Sequence, residues 1–211
     1  MRRVPRGAKL VLATNNRHKV AELRAILSQA IVGFDTGAVI GLADLGLPSP
    51  IEDGITFEEN ALLKAREVAR AVGIPAVADD SGLVVDVFGN APGVFSARWA
   101  GAHGDDLANL ELLLAQLGDV LPHHRGARFV CAAALVTPSG EEYVETAEVR
   151  GHLLATPEGT GGFGYDPIFQ PQGYSRSMAR LSPEEKNAIS HRGRAFRALA
   201  DEIASVIARQ R

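Results

Sequence analysis

"AVADDSGLVVDVF", Ala76–Phe88, sets two neighbouring acids between two apolar segments, and the architecture hangs on how it is read. Both of its ends are apolar and rich in valine, as buried strands are, while Asp79–Gly82 (DDSG) has the composition of a tight turn. The stretch predicts two strand segments around that turn. Just upstream, "TFEENALLKAREVARAVG", Thr56–Gly73, predicts a helix with defined ends. Thr56 can cap it, Glu59 three residues later completes a capping box, and Gly73 and Pro75 stop it. A capped helix running into an apolar strand is the repeating unit of an α/β sheet.

The rest of the chain extends the same alternation. "KLVLA" (Lys9–Ala13) reads as a strand broken by "TNN", and the following helix carries Val20, Leu23, Ile26 and Leu27 on one face. Residues 33–55 are rich in Gly, Pro and Asp and read as a loop with one short strand. "DDLANLELLLAQLG" (Asp105–Gly118) is an amphipathic helix, and "RFVCAAALVTPSGEEYVETAEVRG" (Arg128–Gly151) a hairpin over "PSG". "SPEEKNAIS" has Ser182 as cap, Pro183 at the first helical position and Glu185 to close a capping box. Ser190 can cap one further helix through Phe196, Leu199, Ile203 and Val206. Together these predict a single α/β domain over residues 1–211 with a mixed sheet, Met1–Gly7 being a flexible tail.

Composition narrows the function. The 211 residues are 46% apolar and 22% charged, with a net charge of −3, so no overall basic field exists for nucleic acid. The single cysteine, Cys131, lies in an apolar run and fits a core position in a reducing cytosol. No apolar run approaches the ~20 residues a membrane helix needs. Of 22 cations only four are lysines, and Lys19, Lys64 and Lys186 fall in the segments that carry chemistry.

Two helix starts have the wrong charge. Arg17, His18 and Lys19 occupy the first turn after "TNN", and His191 and Arg192 follow Ser190. A helix N-terminus favours negative charge, so cations there suggest that an anion sits on the turn. Asn15 and Asn16 tolerate left-handed backbone, which suits a tight anion-binding loop. The acids form separate clusters: Glu52–Asp53, Glu58–Glu59 and Asp79–Asp80. Paired carboxylates at a strand end repel unless a cation joins them, and an all-oxygen set suits Mg²⁺ better than zinc. Asp79 is read as bracing the turn. No P-loop and no G-x-S-x-G motif is present.

"GTGGFGYDP" (Gly159–Pro167) contains G-x-G-x-x-G, but Pro167 and Pro171 forbid the helix that a dinucleotide fingerprint must open. Its glycines instead leave room for a planar base beside Phe163 and Tyr165.

Five blocks occur in order: "LATNNRHKVAEL", "FEENALLKA", "ADDSGLVVDVFGNAPGVFSARWAG", "GTGGFGYDPIF" and "LSPEEKNAISHRGRA". In them the chain resembles the inosine triphosphate pyrophosphatase family, the RdgB-like house-cleaning enzymes, from Lys9 onward. The resemblance implies an elongated α/β fold, its mixed sheet flanked by helices, with two lobes and a central cleft. It implies a cytoplasmic homodimer that uses Mg²⁺ to hydrolyse ITP, dITP and XTP to the monophosphate and pyrophosphate. It also implies roles for individual residues: Thr14, Asn15, Asn16, Arg17, His18, Lys19 and Lys64 on the triphosphate, and Glu52 and Asp80 on the metal, with Asp80 also the proton acceptor. Asp53 is an alternative to Glu52. Ser81, Phe163, Gly164, Tyr165, Asp166, Lys186, His191 and Arg192 become further substrate contacts. Two rivals stay open at this point: a related pyrophosphatase acting on other modified bases, and a non-catalytic nucleotide-binding protein of the same fold.

Overall fold

Parallel pairing at the start of the chain sets the sheet. In the computed structural model, which describes residues 4–210, strand β1 (Leu10–Leu12) lies between β2 (Val39–Gly41) and β3 (Ala76–Val85), parallel to both. The remaining strands are β4 (Gly126–Val136), β5 (Glu142–Leu153) and β6 (Phe169–Pro171), giving the order β2-β1-β3-β4-β5-β6. β5 and β6 are antiparallel, so the sheet is mixed. The helices are α1 (Arg17–Ala30), α2 (Phe57–Val72), α3 (Asp106–Gln116), α4 (Pro183–Ile189), α5 (His191–Ala198) and α6 (Ala200–Arg209). The fold is α/β.

Most local expectations hold for local reasons. Thr56 Oγ1 accepts the Glu59 N–H at 3.1 Å, and the Glu59 carboxylate accepts the Thr56 N–H in return. Gly73 closes α2 in the left-handed region at φ 74°, which a residue with a Cβ adopts only at a cost. Ser182 and Glu185 form the second capping box. Residues 33–55 carry one short strand, β2, flanked by two 3-10 turns. The hairpin joins β4 to β5 through a turn in which the Gly140 N–H donates to Thr137 O. No α-helix follows "GTGGFG"; the chain takes one 3-10 turn and enters β6.

Two expectations are corrected. "DDSG" is not a turn: β3 runs unbroken from Ala76 to Val85. The C-terminal helix divides into α5 and α6 around Leu199, although backbone bonds from Leu199 to Ala195 and from Ile203 to Leu199 keep the path nearly continuous.

The described residues group into two compact units, with boundaries inside β3, β4, β5 and α5. The first comprises residues 4–80, 131–147 and 192–210 and has a core on each face of its strands. One core joins Leu10, Leu12, Val77, Cys131, Ala133 and Leu135 to the apolar faces of α1, α5 and α6. The other joins Val11, Ala76, Ala78, Ala132 and Ala134 to α2. Successive residues of a strand point to opposite faces, which is why neighbours such as Val77 and Ala78 enter different cores. The second unit, residues 81–130 and 148–191, packs Leu83, Val85, Leu113, Phe129 and Phe169 with the buried face of α3. No helix among the described residues is long and apolar enough to cross a membrane.

Candidate active site

The continuity of β3 separates the two aspartates. Asp79 shares the parity of Val77 and Asp80 that of Ala78, so their carboxylates emerge on opposite faces of the strand. The repulsion expected of a carboxylate pair is therefore weakened by geometry, although Asp79 still adds to the raised Asp80 pKa, and each acid pairs directly with a different lysine.

On the α1 and α5 face, Asp79 Oδ2 accepts from Lys19 Nζ at 3.0 Å and from Arg192 Nε and Nη2 at 3.1 and 3.0 Å. Arg192 Nη1 also reaches Glu22 at 2.9 Å. Asp79 is 4% exposed and Arg192 3%. Burial alone would raise the Asp79 pKa, but the charges of Arg192 and Lys19 overwhelm it and hold the carboxyl far below the usual range. The two cationic helix starts thus share one carboxylate. Part of their charge conflict is settled inside the chain, and Asp79 braces two helices instead of a turn.

On the α2 face, Lys64 Nζ lies 2.5 Å from Glu52 Oε1 and 3.5 Å from Asp80 Oδ1. Lys64 sits on the buried side of α2 because it lies one turn from Asn60, Ala61 and Val68, all buried. Burial raises the Asp80 pKa; Lys64 opposes the rise, and nearby Glu52 adds to it. The side chain of Asn60, 0% exposed, donates to Asp80 Oδ2 at 3.0 Å.

Two carboxylate oxygens turned toward one positive charge match the donor set of a hard divalent cation. Among the described residues, the ion pairs of Glu22, Glu52, Asp79 and Asp80 run to Lys19, Lys64 and Arg192. Among the described residues no group of three or more His, Cys, Asp or Glu forms a closed cage. Mg²⁺ commonly takes one or two carboxylates and fills the rest of its sphere with water and substrate phosphates, so Glu52 and Asp80 fit it.

The loop before α1 is built differently from expectation. Asn90 is the one non-glycine with positive φ among the described residues, so Asn15 and Asn16 are not left-handed. Asn15 instead ties the loop to Leu47 O and Ser49 Oγ, at 3.2 and 3.1 Å. Asn16 Oδ1 accepts the Lys19 N–H at 3.4 Å, as a helix cap does, and Thr14 Oγ1 accepts the Asn16 N–H at 3.1 Å. Arg17 is exposed beside them, and the side chain of His18 lies outside the described residues.

In the second unit, Asp166 organises the glycine-rich block. Its Oδ2 accepts the Phe163 N–H at 2.9 Å and Lys186 Nζ at 2.5 Å. Lys186 Nζ also stands 4.7 Å from the centre of the Phe163 ring, which is 49% exposed. The Gly164 N–H donates to Asp106 Oδ2 at 2.8 Å, tying the block to the start of α3. Tyr165 plays a different part. Its ring is buried in the core, and its hydroxyl donates to Ser96 O at 2.9 Å. Burial, aided by Asp106, pushes that hydroxyl's pKa up. His191 stacks on Phe129 at 5.0 Å, while Ser81 is half-buried directly after Asp80.

In the first unit the structure therefore brings Lys64, Glu52 and Asp80 together on one face of β3 and gathers Lys19 and Arg192 on Asp79 at the other, while Phe163, Gly164, Asp166 and Lys186 meet in the second unit. Sequence reasoning missed Glu22, Asp106 and the part played by Asn60. For Asn60 a signal existed: asparagine is a poor helix former, and this one is not needed as a cap.

A mixed α/β sheet thus carries lysines and carboxylates gathered at one strand. The family follows from comparison. Residues 10–202 match the Ham1 family model, and the chain belongs to the Ham1 family. It is 58% identical over 199 residues to the dITP/XTP pyrophosphatase of Streptomyces avermitilis, covering 94% of this chain and 98% of that protein. A crystal structure of the nucleoside-triphosphatase (dITP/XTP pyrophosphatase) of Mycobacterium abscessus superimposes with a TM-score of 0.73 at 50% identity, over 90% of this chain and 97% of that one. A HAM1 protein from Coxiella burnetii gives a TM-score of 0.83 at 37% identity, over 94% and 99%.

Proposed function

We propose that this chain is a Mg²⁺-dependent pyrophosphohydrolase of the cytosol that converts ITP, dITP and XTP to the monophosphate and pyrophosphate, working as a homodimer. The observation that carries the reading is the convergence of Glu52 and Asp80 on the Lys64 ammonium. Relatives named for dITP/XTP pyrophosphatase activity, matched over nearly their whole length, support the substrate class.

Pyrophosphate leaves as one unit, so water attacks the α-phosphorus. Glu52 and Asp80 would hold a divalent cation, which when bound would supply charge neutralisation for the phosphate oxygens and activation of water. Asp80 is placed to orient the attacking water and take its proton. Lys19, Lys64 and the N–H groups of the loop Thr14–Lys19 stabilise charge on the departing pyrophosphate, with Arg17 and His18 on the same turn. Ser81 contacts the substrate beside Asp80. For the purine, Phe163 is the proposed stacking ring and Gly164, Asp166 and Lys186 the proposed polar groups, with Tyr165 keeping their block rigid.

Phe163→Ala is expected to raise KM for ITP by about 5- to 100-fold, the range that loss of one base–aromatic stack implies, with a smaller effect on kcat. Steady-state kinetics at saturating Mg²⁺ check this.

Base choice rests on hydrogen-bond polarity. Hypoxanthine and xanthine present a 6-oxo acceptor where adenine presents an amino donor. Arg192, anchored through Asp79 and Glu22, and His191 beside it supply donors, and a donor set against an amino group leaves unpaired polar groups. Arg192→Ala is expected to lower the ITP-to-ATP ratio of kcat/KM; an unchanged ratio in the folded variant contradicts the role.

The overall reading is tested by offering ITP, dITP, XTP, dUTP and ATP with Mg²⁺ and measuring monophosphate and pyrophosphate. Preference for the oxopurines supports it, and preference for dUTP or no turnover overturns it.

A further inference from the structure

Asn60 links the two carboxylates without occupying the place of either. It lies on α2 one turn before Lys64, and its side chain is fully buried. Its amide works in both directions. Nδ2 donates to Asp80 Oδ2 at 3.0 Å, while Oδ1 accepts the Gly54 N–H at 2.8 Å. A carboxylate can only accept and a backbone N–H can only donate, so the two partners fix which way the amide faces. Aspartate here would set acceptor against acceptor at Asp80. A hydrocarbon would strand two polar groups in a buried place.

Gly54 stands two residues beyond Glu52, so the same side chain that holds Asp80 holds the segment bearing Glu52. That segment approaches α2 closely. A Cβ built on Gly54 would lie 2.7 Å from Asn60 Oδ1 and 2.9 Å from Glu59 Cβ. Glycine at position 54 is what lets the amide reach the backbone. With Oδ2 of Asp80 spent on Asn60, Oδ1 is the oxygen turned toward Lys64.

We infer that Asn60 is a positioning residue for the reaction: it fixes the rotation of Asp80 and the path of the Glu52 segment, so that one oxygen of each acid faces a common cation. The inference rests on the preceding reading that Glu52 and Asp80 hold the metal. Partners that orient metal-binding side chains typically contribute 10- to 100-fold to metal affinity or activity.

The test compares wild type with Asn60→Asp, which keeps the shape, and Gly54→Ala, which keeps the amide but crowds it. For each, thermal unfolding, kcat and KM for ITP, and Mg²⁺ affinity by calorimetry on the nucleotide-free protein are measured. The expected result is a kcat reduced by about 10- to 100-fold and weakened Mg²⁺ binding in both variants, with KM changed less than about threefold. If Asn60→Asp does not fold, Gly54→Ala carries the test, because it alters a partly exposed loop residue. Folded variants with wild-type kcat and Mg²⁺ affinity, or with KM alone raised, overturn the inference. A wild type that binds Mg²⁺ but does not hydrolyse ITP overturns the functional reading instead. The Mg²⁺ affinities then still decide the role of Asn60.

Discussion

Asp80→Asn is expected to leave a folded protein whose turnover of ITP is lower by about 10²- to 10⁴-fold, the usual contribution of a positioned general base. Three losses coincide in this substitution. The proton acceptor goes, one of two metal-facing oxygens loses its charge, and an amide N–H is set against the Lys64 ammonium. Burial raises the Asp80 pKa, so the uncharged isostere is relieved of that desolvation at neutral pH, but its N–H must face Lys64 or the Asn60 amide, which offsets the relief. Thermal unfolding at pH 7 should show a cooperatively folded variant alongside the collapse of kcat. Retained turnover would remove Asp80 from the mechanism.

Asp79→Asn is expected to act in the opposite manner, chiefly on the fold. Asp79 is the shared counterion of buried Arg192 and partly buried Lys19, and removing one partner of a buried ion pair costs about 3–5 kcal/mol. For a chain of this size each kcal/mol lowers Tm by roughly 2–4 °C, so a fall of about 6–20 °C is expected. The pH dependence has a definite sign. A depressed carboxyl pKa means that the stabilisation is fully present well above the ordinary value of 3.8 and is lost as pH falls below it toward the folded value. The stability gap between wild type and Asp79→Asn should therefore be widest near neutrality and shrink under acid. Urea unfolding at several pH values measures this. A gap independent of pH would mean that the Asp79 charge is not what holds α1 and α5.

These two neighbouring acids also show how far the sequence can be read. Both capping boxes, the hairpin turn and the stop at Gly73 were legible because they depend on residues three or four apart. The strand character of "DDSG" was not. Consecutive aspartates disfavour a strand, and what overrides that preference is a set of cations distant in the chain. Lys19 and Arg192 lie 60 and 113 residues from Asp79, and no local pattern announces the pairing. Once β3 is continuous, the period of two sends Asp79 to one face and Asp80 to the other. That step excludes Asp79 from the Asp80–Glu52 pair. In the glycine-rich block, Phe163 and Tyr165 looked alike as aromatics among glycines. Only the fold reveals that Phe163 is half-exposed over Lys186 while Tyr165 is a core residue bonded to Ser96. The cationic helix starts stood out in the sequence, yet the reason inferred for them was incomplete, since a buried carboxylate already answers part of their charge.

The proposed function turns on attack of water at the α-phosphorus with pyrophosphate leaving intact. Hydrolysis of ITP in water enriched in oxygen-18, with mass spectrometry of both products, follows that step atom by atom. One heavy oxygen in the monophosphate and none in pyrophosphate are expected. Label in pyrophosphate, or release of single phosphate, would contradict the mechanism.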